Sequence, residues 1–225
     1  MIRLLPATLI LSSFFSVTQV YAESDVGGLL DFSIDGANAT ITGFTAGTST
    51  ATLTIPAAVS NGNNTFRVTS IGVGAFRNNL MTSVTIPDSV MNIETGAFYD
   101  NSLTTITIPN SVTSIAAEAF AFNQLASVII PYGVESISEK SFAYNQLTTI
   151  TIPNSVTSIA AQALAFNQLA SVTIPGSVTN IGREAFADNQ LTSVNILNGV
   201  ADIEFAAFRN NQLALVKIPN SVKNI

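Results

Sequence analysis

The feature that most constrains this 225-residue chain is a repeat with a period of 22 residues. Proline recurs at this interval, with Leu197 in the one missing position: Pro87, Pro109, Pro131, Pro153, Pro175 and Pro219. Columns of leucine, valine, isoleucine and asparagine keep the same spacing, as in Leu103 to Leu213, Val90 to Val222, Ile93 to Ile225 and Asn101 to Asn211. A fixed period of this length predicts a solenoid, in which each repeat forms one coil stacked on the preceding coil.

The segment 103–109 shows how one coil should begin. Ile106 and Ile108 alternate with Thr105 and Thr107, which is the period-two pattern of a half-buried strand. The proline that follows ends the strand because it has no N–H group for a sheet. Strands from successive coils should then pair in parallel.

The rest of the coil should return along an opposite wall. In the segment 112–115 two more apolar residues turn inward, and the alanine-rich segment 116–120 is expected to make a tight helical turn. We therefore predict an α/β solenoid dominated by β-structure. It has a parallel sheet with one short strand per coil, and tight turns or short helical turns on the opposite wall.

A polar column accompanies the apolar ones. Asparagine occupies it in every full repeat: Asn101, Asn123, Asn145, Asn167, Asn189 and Asn211. Asparagine side chains can both donate to and accept from backbone groups at turns. We interpret this column as structural, with the amides satisfying buried backbone groups.

Both ends of the chain differ from the repeats. Arg3 precedes an apolar run that is too short to span a bilayer and ends in a small-x-small sequence, which is typical of a removable export signal. The chain stops at Ile225 within a coil, so we expect it to be cut short or to lack a later domain. The predicted organisation is a signal peptide (1–22), a β-hairpin cap (23–52), a divergent first repeat with a loop insertion at 60–65 (53–80), and six full repeats followed by a truncated seventh (81–225).

The composition excludes several kinds of chemistry. The chain has no His, Cys or Trp, which removes Ser-His-Asp and Cys-His nucleophiles, imidazole or thiolate metal sites, and disulfides. Its net charge of −6 makes nucleic acid an unsuitable partner. The carboxylates do not recur together on neighbouring coils, as calcium or glycosidic catalysis would require. We therefore predict no catalytic site, metal or cofactor, and no transmembrane segment in the mature chain.

Outward positions of the strands provide the candidate binding face. Most carry Ser or Thr, and two repeats have a Thr-x-Thr pair, formed by Thr105 with Thr107 and by Thr149 with Thr151. Strand propensity alone explains such rows, although regular threonine arrays also resemble ice-binding faces. On the third full repeat, Ile129 replaces a polar residue of this face.

Two further sets of apolar residues occupy positions that are polar in other repeats. Tyr132 stands where most repeats have Asn or Asp. Phe122, Tyr144 and Phe166 form a column where other repeats have Asp or Asn. Exposed aromatic residues with polar neighbours often mark a partner site. The alternative is that these rings only cover the core at a corner of the coil.

The repeat unit Leu-x-x-Val/Ile-x-Ile-Pro-x-Ser-Val-x-x-Ile-x-x-x-Ala-Phe-x-x-Asn resembles the BspA-type leucine-rich repeats of bacterial and some protist surface proteins. The resemblance covers about residues 53–225 and includes the run Thr-Ile-Pro-Asn-Ser-Val-Thr-Ser-Ile, found twice. It implies a curved leucine-rich-repeat solenoid that is exported and binds proteins or glycans at a surface, in adhesion or recognition.

Three functional hypotheses follow. The first is a secreted or cell-surface interaction protein that binds a protein or glycan through the repeat face, with the periplasm as another possible location. The second is a structural module that supports a C-terminal domain absent from this chain. The third is an ice-binding Thr/Ser face. The sequence does not indicate an oligomeric state.

Overall fold

The computed structural model describes residues 29–62 and 64–225, so the predicted signal peptide (1–22) lies outside the described residues. Its first two strands, β1 (Leu30–Asp35) and β2 (Asn38–Phe44), form the predicted antiparallel hairpin. Gly36 lies in the turn with a φ of 60°, a left-handed conformation that glycine adopts without steric cost. The hairpin covers the first end of the apolar core.

The divergent first repeat contains β3 (Thr52–Thr54), β4 (Ala58–Ser60) and β5 (Thr65–Ile71). β4 and β5 pair antiparallel, so the predicted insertion at 60–65 is the connection of a second hairpin. β5 also pairs in parallel with β2 and with the next coil. This strand therefore joins the antiparallel cap to the parallel repeats.

Each regular coil can contribute a strand to a wall that we call the strand face. After β3 its strands are β6 (Ser83–Thr85), β9 (Ser127–Ile129), β11 (Thr149–Thr151), β13 (Ser171–Ile174) and β15 (Ser193–Ile196). β9 pairs with β11, and β13 with β15, in parallel and at an offset of 22 residues. The alternation within each strand turns one residue toward the core and the next toward solvent, as the sequence pattern indicates.

A second ladder lies on the opposite side of the core, which we call the second wall. Its two-residue strands are β7 (Asn92–Ile93), β8 (Ser114–Ile115), β10 (Ser136–Ile137), β12 (Ser158–Ile159), β14 (Asn180–Ile181) and β16 (Asp202–Ile203). The sequence predicted inward-pointing residues here, which are buried, but only one strand per coil. The second strand forms because the backbone around these inward-pointing residues is extended. It can therefore pair with the same segment of the next coil.

The segment with Thr105 and Thr107 corrects another expectation. Both side chains point outward as predicted, but residues 103–109 form no strand. The coil is still held by β8 on the second wall and by the Asn123 side chain, which accepts a hydrogen bond from the backbone N–H of Leu103 at 3.1 Å. Because those contacts fix the coil, the ladder on the strand face can open here without unstacking the solenoid.

The turn wall, formed by residues 116–122 and their equivalents, contains turns. The alanine-rich segment 116–120 was expected to be a short helical turn, yet no helix occurs in residues 29–62 or 64–225. Glu118 has a φ of 58°, and the equivalent residue of each coil is also left-handed. A left-handed residue in the middle of the segment ends any right-handed helix after less than one turn.

The core consists of continuous apolar columns along the solenoid axis. Phenylalanine rings form the largest column, and their centroids lie 5.4 Å apart from Phe76 to Phe98 and from Phe98 to Phe120. Leu164 replaces phenylalanine once and is equally buried. A single coil could not bury these side chains on both sides, so each coil depends on its neighbours.

The asparagine column is structural, which confirms the interpretation from sequence. Asn145 accepts a hydrogen bond from the N–H of Leu125 at 3.0 Å. Its amide nitrogen donates to the carbonyls of Phe120, Phe142 and Ala143 at 2.9, 3.2 and 3.2 Å. Asn101, Asn123, Asn167 and Asn189 make the same set of contacts. Each amide thus ties its own coil to the preceding coil.

Candidate functional site: the strand face

The strand face is a neutral surface of hydroxyl groups. Its outward positions from Ser83 to Asn195 carry Ser, Thr, Asn and one Ile, without a charged side chain. Charged side chains concentrate instead around the turn wall. There Glu184, which is buried, lies 3.6 Å from Arg209 and accepts a hydrogen bond from Gln162 at 2.6 Å. The two sides of the solenoid therefore differ sharply in charge.

Ile129 and Tyr132 are the most exposed apolar side chains on the middle coils of this face. Ile129 is 79% exposed and Tyr132 is 80% exposed. Within β9, Ile129 pairs with Thr151 of β11, and Ser127 pairs with Thr149. Tyr132 follows in the turn after the strand and contacts no other aromatic ring among the described residues. Both faces of its ring are therefore free of aromatic stacking.

The coil that carries these residues is attached to the preceding coil by fewer bonds than its neighbours are. Ser111 and Ser155 each donate a hydrogen bond to a carbonyl of the preceding coil, at 2.7 and 2.9 Å. Gly133 takes the equivalent position, so that bond is missing. β10 forms no ladder with β8, and the hydroxyl of Ser138 bridges the gap by donating to the carbonyl of Ile115 at 2.6 Å.

The two predicted Thr-x-Thr pairs do not form one array. Thr149 and Thr151 lie on β11, whereas Thr105 and Thr107 lie on a coil without a strand. The coil between them presents Ser127 and Ile129. The structure therefore brings Thr151 beside Ile129 and leaves the other pair one coil away on the opposite side of β9.

The remaining candidates form an aromatic ladder at the other end of the strands, just before each strand begins. Ring centroids are 4.2 Å apart between Phe122 and Tyr144, and 4.3 Å apart between Tyr144 and Phe166. The rings cover one another's faces, so that solvent reaches mainly their edges. Phe122 and Tyr144 are 38% and 37% exposed, between core and free surface.

Sequence analysis missed one member of this ladder. The ring of Tyr99 lies 5.1 Å from that of Phe122, and Arg77 lies 3.8 Å above the Tyr99 ring. Tyr99 belongs to a different repeat position, which is occupied by alanine in the next four coils, so the 22-residue alignment gave no signal. The stacked guanidinium extends the ladder with a cationic end.

A shallow depression on the strand face was also missed. It lies on the coils that follow Ile129, starting at Thr151, which pairs with Ile129. Its polar lining residues are Thr149, Thr151, Asn154, Ser171 and Thr173. The lining is again neutral, and it offers hydroxyl and amide groups together with apolar side chains, namely Ile150, Ile152, Val172, Pro175 and the exposed Leu197.

Two other features bear on the possible chemistry. Among the described residues, no cluster of three or more His, Cys, Asp or Glu side chains could hold a metal ion. No helix within residues 29–62 and 64–225 is long and apolar enough to cross a membrane.

The parallel ladders, the leucine and phenylalanine columns and the asparagine ladder define a leucine-rich-repeat solenoid. A family model described as "BspA type Leucine rich repeat region" matches residues 58–168 and 113–225, with six copies. The chain belongs to the BspA-type leucine-rich repeat family, which confirms the resemblance seen in the sequence. Among curated protein sequences, none matches the chain.

Solved structures with the same fold include a vaccine antigen and a cell surface protein. The pneumococcal vaccine antigen PcpA is 23% identical, with a TM-score of 0.64 over 80% of this chain and 51% of that one. A leucine-rich cell surface protein of Faecalibacterium prausnitzii A2-165 is 24% identical, with a TM-score of 0.59 over 88% and 77%. A leucine-rich repeat protein of Eubacterium ventriosum is 20% identical, with a TM-score of 0.53 over 89% and 67%. The chain spans about half the length of the pneumococcal antigen.

Proposed function

We propose that this protein is an exported, non-catalytic interaction protein that binds a protein or glycan at a cell surface through its strand face. The observation that carries the proposal is the exposure of Ile129 and Tyr132 within an otherwise hydroxyl-lined, uncharged wall. Large side chains exposed on a rigid repeat scaffold are typical anchors for a partner.

Two further observations support this proposal. The family match and the cell surface protein among the solved structures support a surface role for the chain. The N-terminal apolar run supports export, which N-terminal sequencing of protein recovered outside the cytoplasm tests: the mature chain should begin near Glu23.

Binding to a panel of matrix glycoproteins and polysaccharides tests the proposed surface. The purified protein is compared with a double variant, Ile129→Thr and Tyr132→Asn, which restores the residue types found in other repeats. A matched control changes Val73→Thr and Phe205→Asn, two exposed apolar residues that lie at other positions of the coil, 70% and 73% exposed.

We expect saturable binding that the first variant loses and the control retains, with both variants folded by circular dichroism. If all three proteins bind equally, the strand face is not the binding surface. If none binds any member of the panel, the interaction role itself is contradicted.

A further inference from the structure

The third full coil, residues 125–146, departs from its equivalents at positions that face outward. Ile129 stands where the other full repeats have a polar residue. Tyr132 stands where most of them have Asn or Asp, and Gly133 stands where most of them have serine. None of these changes fills the core, because Ile129 and Tyr132 are about four-fifths exposed, at 79% and 80%. Residues that break a local rule without improving packing are expected mainly at functional sites.

The same coil is also attached less tightly to the coil before it. With Gly133 in place of serine, the hydrogen bond that Ser111 and Ser155 make to the preceding coil is absent. The second-wall ladder is interrupted between β8 and β10 at this coil. This coil thus combines fewer bonds to the preceding coil with exposed apolar surface, although the serine bond is also absent at Ser89, Ser177 and Gly199.

The surroundings of Tyr132 are polar and neutral. The equivalent positions on the adjacent coils are Asn110 and Asn154, both exposed. Thr107 and Thr151 take the positions equivalent to Ile129, and both are exposed hydroxyls. Amide and hydroxyl groups can each donate and accept hydrogen bonds. An aromatic ring thus lies between groups that can bind a neutral, hydroxyl-rich ligand.

We propose that Tyr132 and Ile129, with the flanking Asn110, Asn154 and Thr151, form a subsite for a neutral glycan. This inference rests on the proposed function and names its ligand class. One face of a sugar ring presents C–H groups of slightly positive charge, which pack against the negative face of an aromatic ring. The sugar hydroxyls at the rim then meet the asparagine and threonine side chains.

Other ligand classes fit the surface less well. A stable protein partner needs roughly 800 Å² of surface per side with an apolar centre, whereas these coils expose only two large apolar side chains here. A polyanion finds no basic residue on the strand face from Ser83 to Asn195, and the next charge after Tyr132 is Glu135. A neutral ligand with a small apolar face is the best match.

The depression next to Ile129 indicates the direction in which a bound oligosaccharide would extend from Tyr132. It continues from Thr149 and Thr151 of β11 to Ser171 and Thr173 of β13, and ends at Leu197. An oligosaccharide anchored at Tyr132 can extend along this line and meet hydroxyl groups on each coil. Affinity should therefore rise with the length of the oligosaccharide over its first few units.

The chain has no tryptophan, which allows a direct test. In the variant Tyr132→Trp the only tryptophan lies at the proposed subsite, and Asp88→Trp places it at an equivalent exposed position two coils away, on the side of Tyr132 opposite to the depression. Emission is recorded during titration with neutral oligosaccharides of increasing length from β-glucan, α-glucan, mannan, galactan and xylan. Heparin serves as the anionic probe.

We expect at least one neutral series to shift and quench the emission of Tyr132→Trp saturably, without a response from Asp88→Trp. Binding by calorimetry should weaken at least about tenfold in Tyr132→Asn, and Tyr132→Phe should retain it. Because no charge is involved, the affinity should not change with added salt.

The outcomes separate this inference from the proposed function. If glycoproteins stripped of glycans bind in a Tyr132-dependent way and no neutral oligosaccharide does, the ligand is a protein and the glycan inference is wrong. Salt-sensitive binding of heparin alone also overturns it. If neutral glycans bind Tyr132→Asn as well as the original protein, the subsite lies elsewhere, and if nothing binds the strand face both proposals fail.

Discussion

Two aromatic columns run along the solenoid with the same period, yet only one belongs to the core. Phe120 and Phe142 stack with centroids 5.5 Å apart and are fully buried. Two residues further along the chain, Phe122 and Tyr144 stack with centroids 4.2 Å apart and are more than one third exposed, at 38% and 37%. The ring planes are inclined by 9° in both pairs and the period is the same, so neither parallel stacking nor periodicity identifies a core residue.

The backbone reveals the difference between the two columns. Phe122, Tyr144 and Phe166 all have a φ of 56°, in the left-handed region that bulky side chains rarely occupy. The equivalent residues on the later coils are Asp188 and Asn210, which tolerate this conformation and are joined by a 2.8 Å hydrogen bond. The buried phenylalanines have no such conformation. The fold therefore requires the buried phenylalanine column, whereas the column of Phe122, Tyr144 and Phe166 can be replaced by polar residues without loss of the fold.

The largest effect should come from placing asparagine in the buried column. Phe142→Asn leaves a cavity and buries an amide without partners, so we expect a loss of about 5 kcal/mol in the free energy of unfolding. Urea unfolding followed by circular dichroism measures it, with both midpoint and slope, because a repeat array can lose cooperativity.

A conservative change at the same position is the control. Leu164 occupies the equivalent place in the next coil and is fully buried. Phe142→Leu should therefore cost only about 1 kcal/mol. If Phe142→Asn cost as little, the phenylalanine column would not be a core that the fold requires.

The second largest effect should come from the asparagine ladder. Asn145→Ala removes the acceptor for the N–H of Leu125 and the donor to the Phe120 and Phe142 carbonyls. We expect a loss of about 3 kcal/mol, because buried backbone groups are left unsatisfied. Asn154→Ala, on an exposed turn, should cost less than about 0.5 kcal/mol. A similar loss for the two variants would refute the structural assignment.

The repeat made much of this predictable. The parallel stacking, the hairpin cap and the asparagine ladder follow from spacing and residue type. For the coils, the same residue types recur at the same positions, so each repeat independently indicates the same geometry. The second ladder and the left-handed turns were missed, since both depend on backbone angles that no single residue type signals. Glu118 illustrates this, because glycine occupies its position only on two early coils, at Gly74 and Gly96.

The candidate site was predictable only in part. Ile129 and Tyr132 stand out because they break a column, and the structure exposes both. Tyr99 could not be found in this way, because it joins the aromatic ladder from a neighbouring repeat position. The missing hydrogen bond at Gly133 could not be predicted, because the sequence does not show which carbonyl a serine at this position would reach. Sequence columns therefore locate departures from the repeat but not their contacts.

The exposed column should respond much less to the change made in the buried one. Tyr144→Asn loses stacking on Phe122 and Phe166, but asparagine accepts the left-handed backbone more readily. The two effects oppose each other, so we expect a loss of about 1 kcal/mol in the free energy of unfolding. Urea unfolding beside Phe142→Asn provides the comparison. A loss as large as that of Phe142→Asn would place Tyr144 in the core.

The smallest effect should be a gain in stability within the buried region. Ser141 is completely buried, and its hydroxyl has no hydrogen-bond partner among the described residues. Equivalent positions hold alanine in the neighbouring coils, at Ala119 and Ala163. Ser141→Ala should therefore raise the free energy of unfolding by about 0.5 to 1 kcal/mol, because it removes a polar group that is desolvated without compensation.

Thermal unfolding measures this gain as a higher Tm, and a second serine provides the matched control. The hydroxyl of Ser155 donates to the carbonyl of Val134 at 2.9 Å, so Ser155→Ala should lower stability by about 1 kcal/mol. The same mutation thus has opposite signs at two positions, according to whether the hydroxyl has a partner. If Ser141→Ala also lowers the Tm, the Ser141 hydroxyl has a stabilising partner. Alanine, although it occupies the equivalent positions of the neighbouring coils, is then less stabilising than serine at position 141.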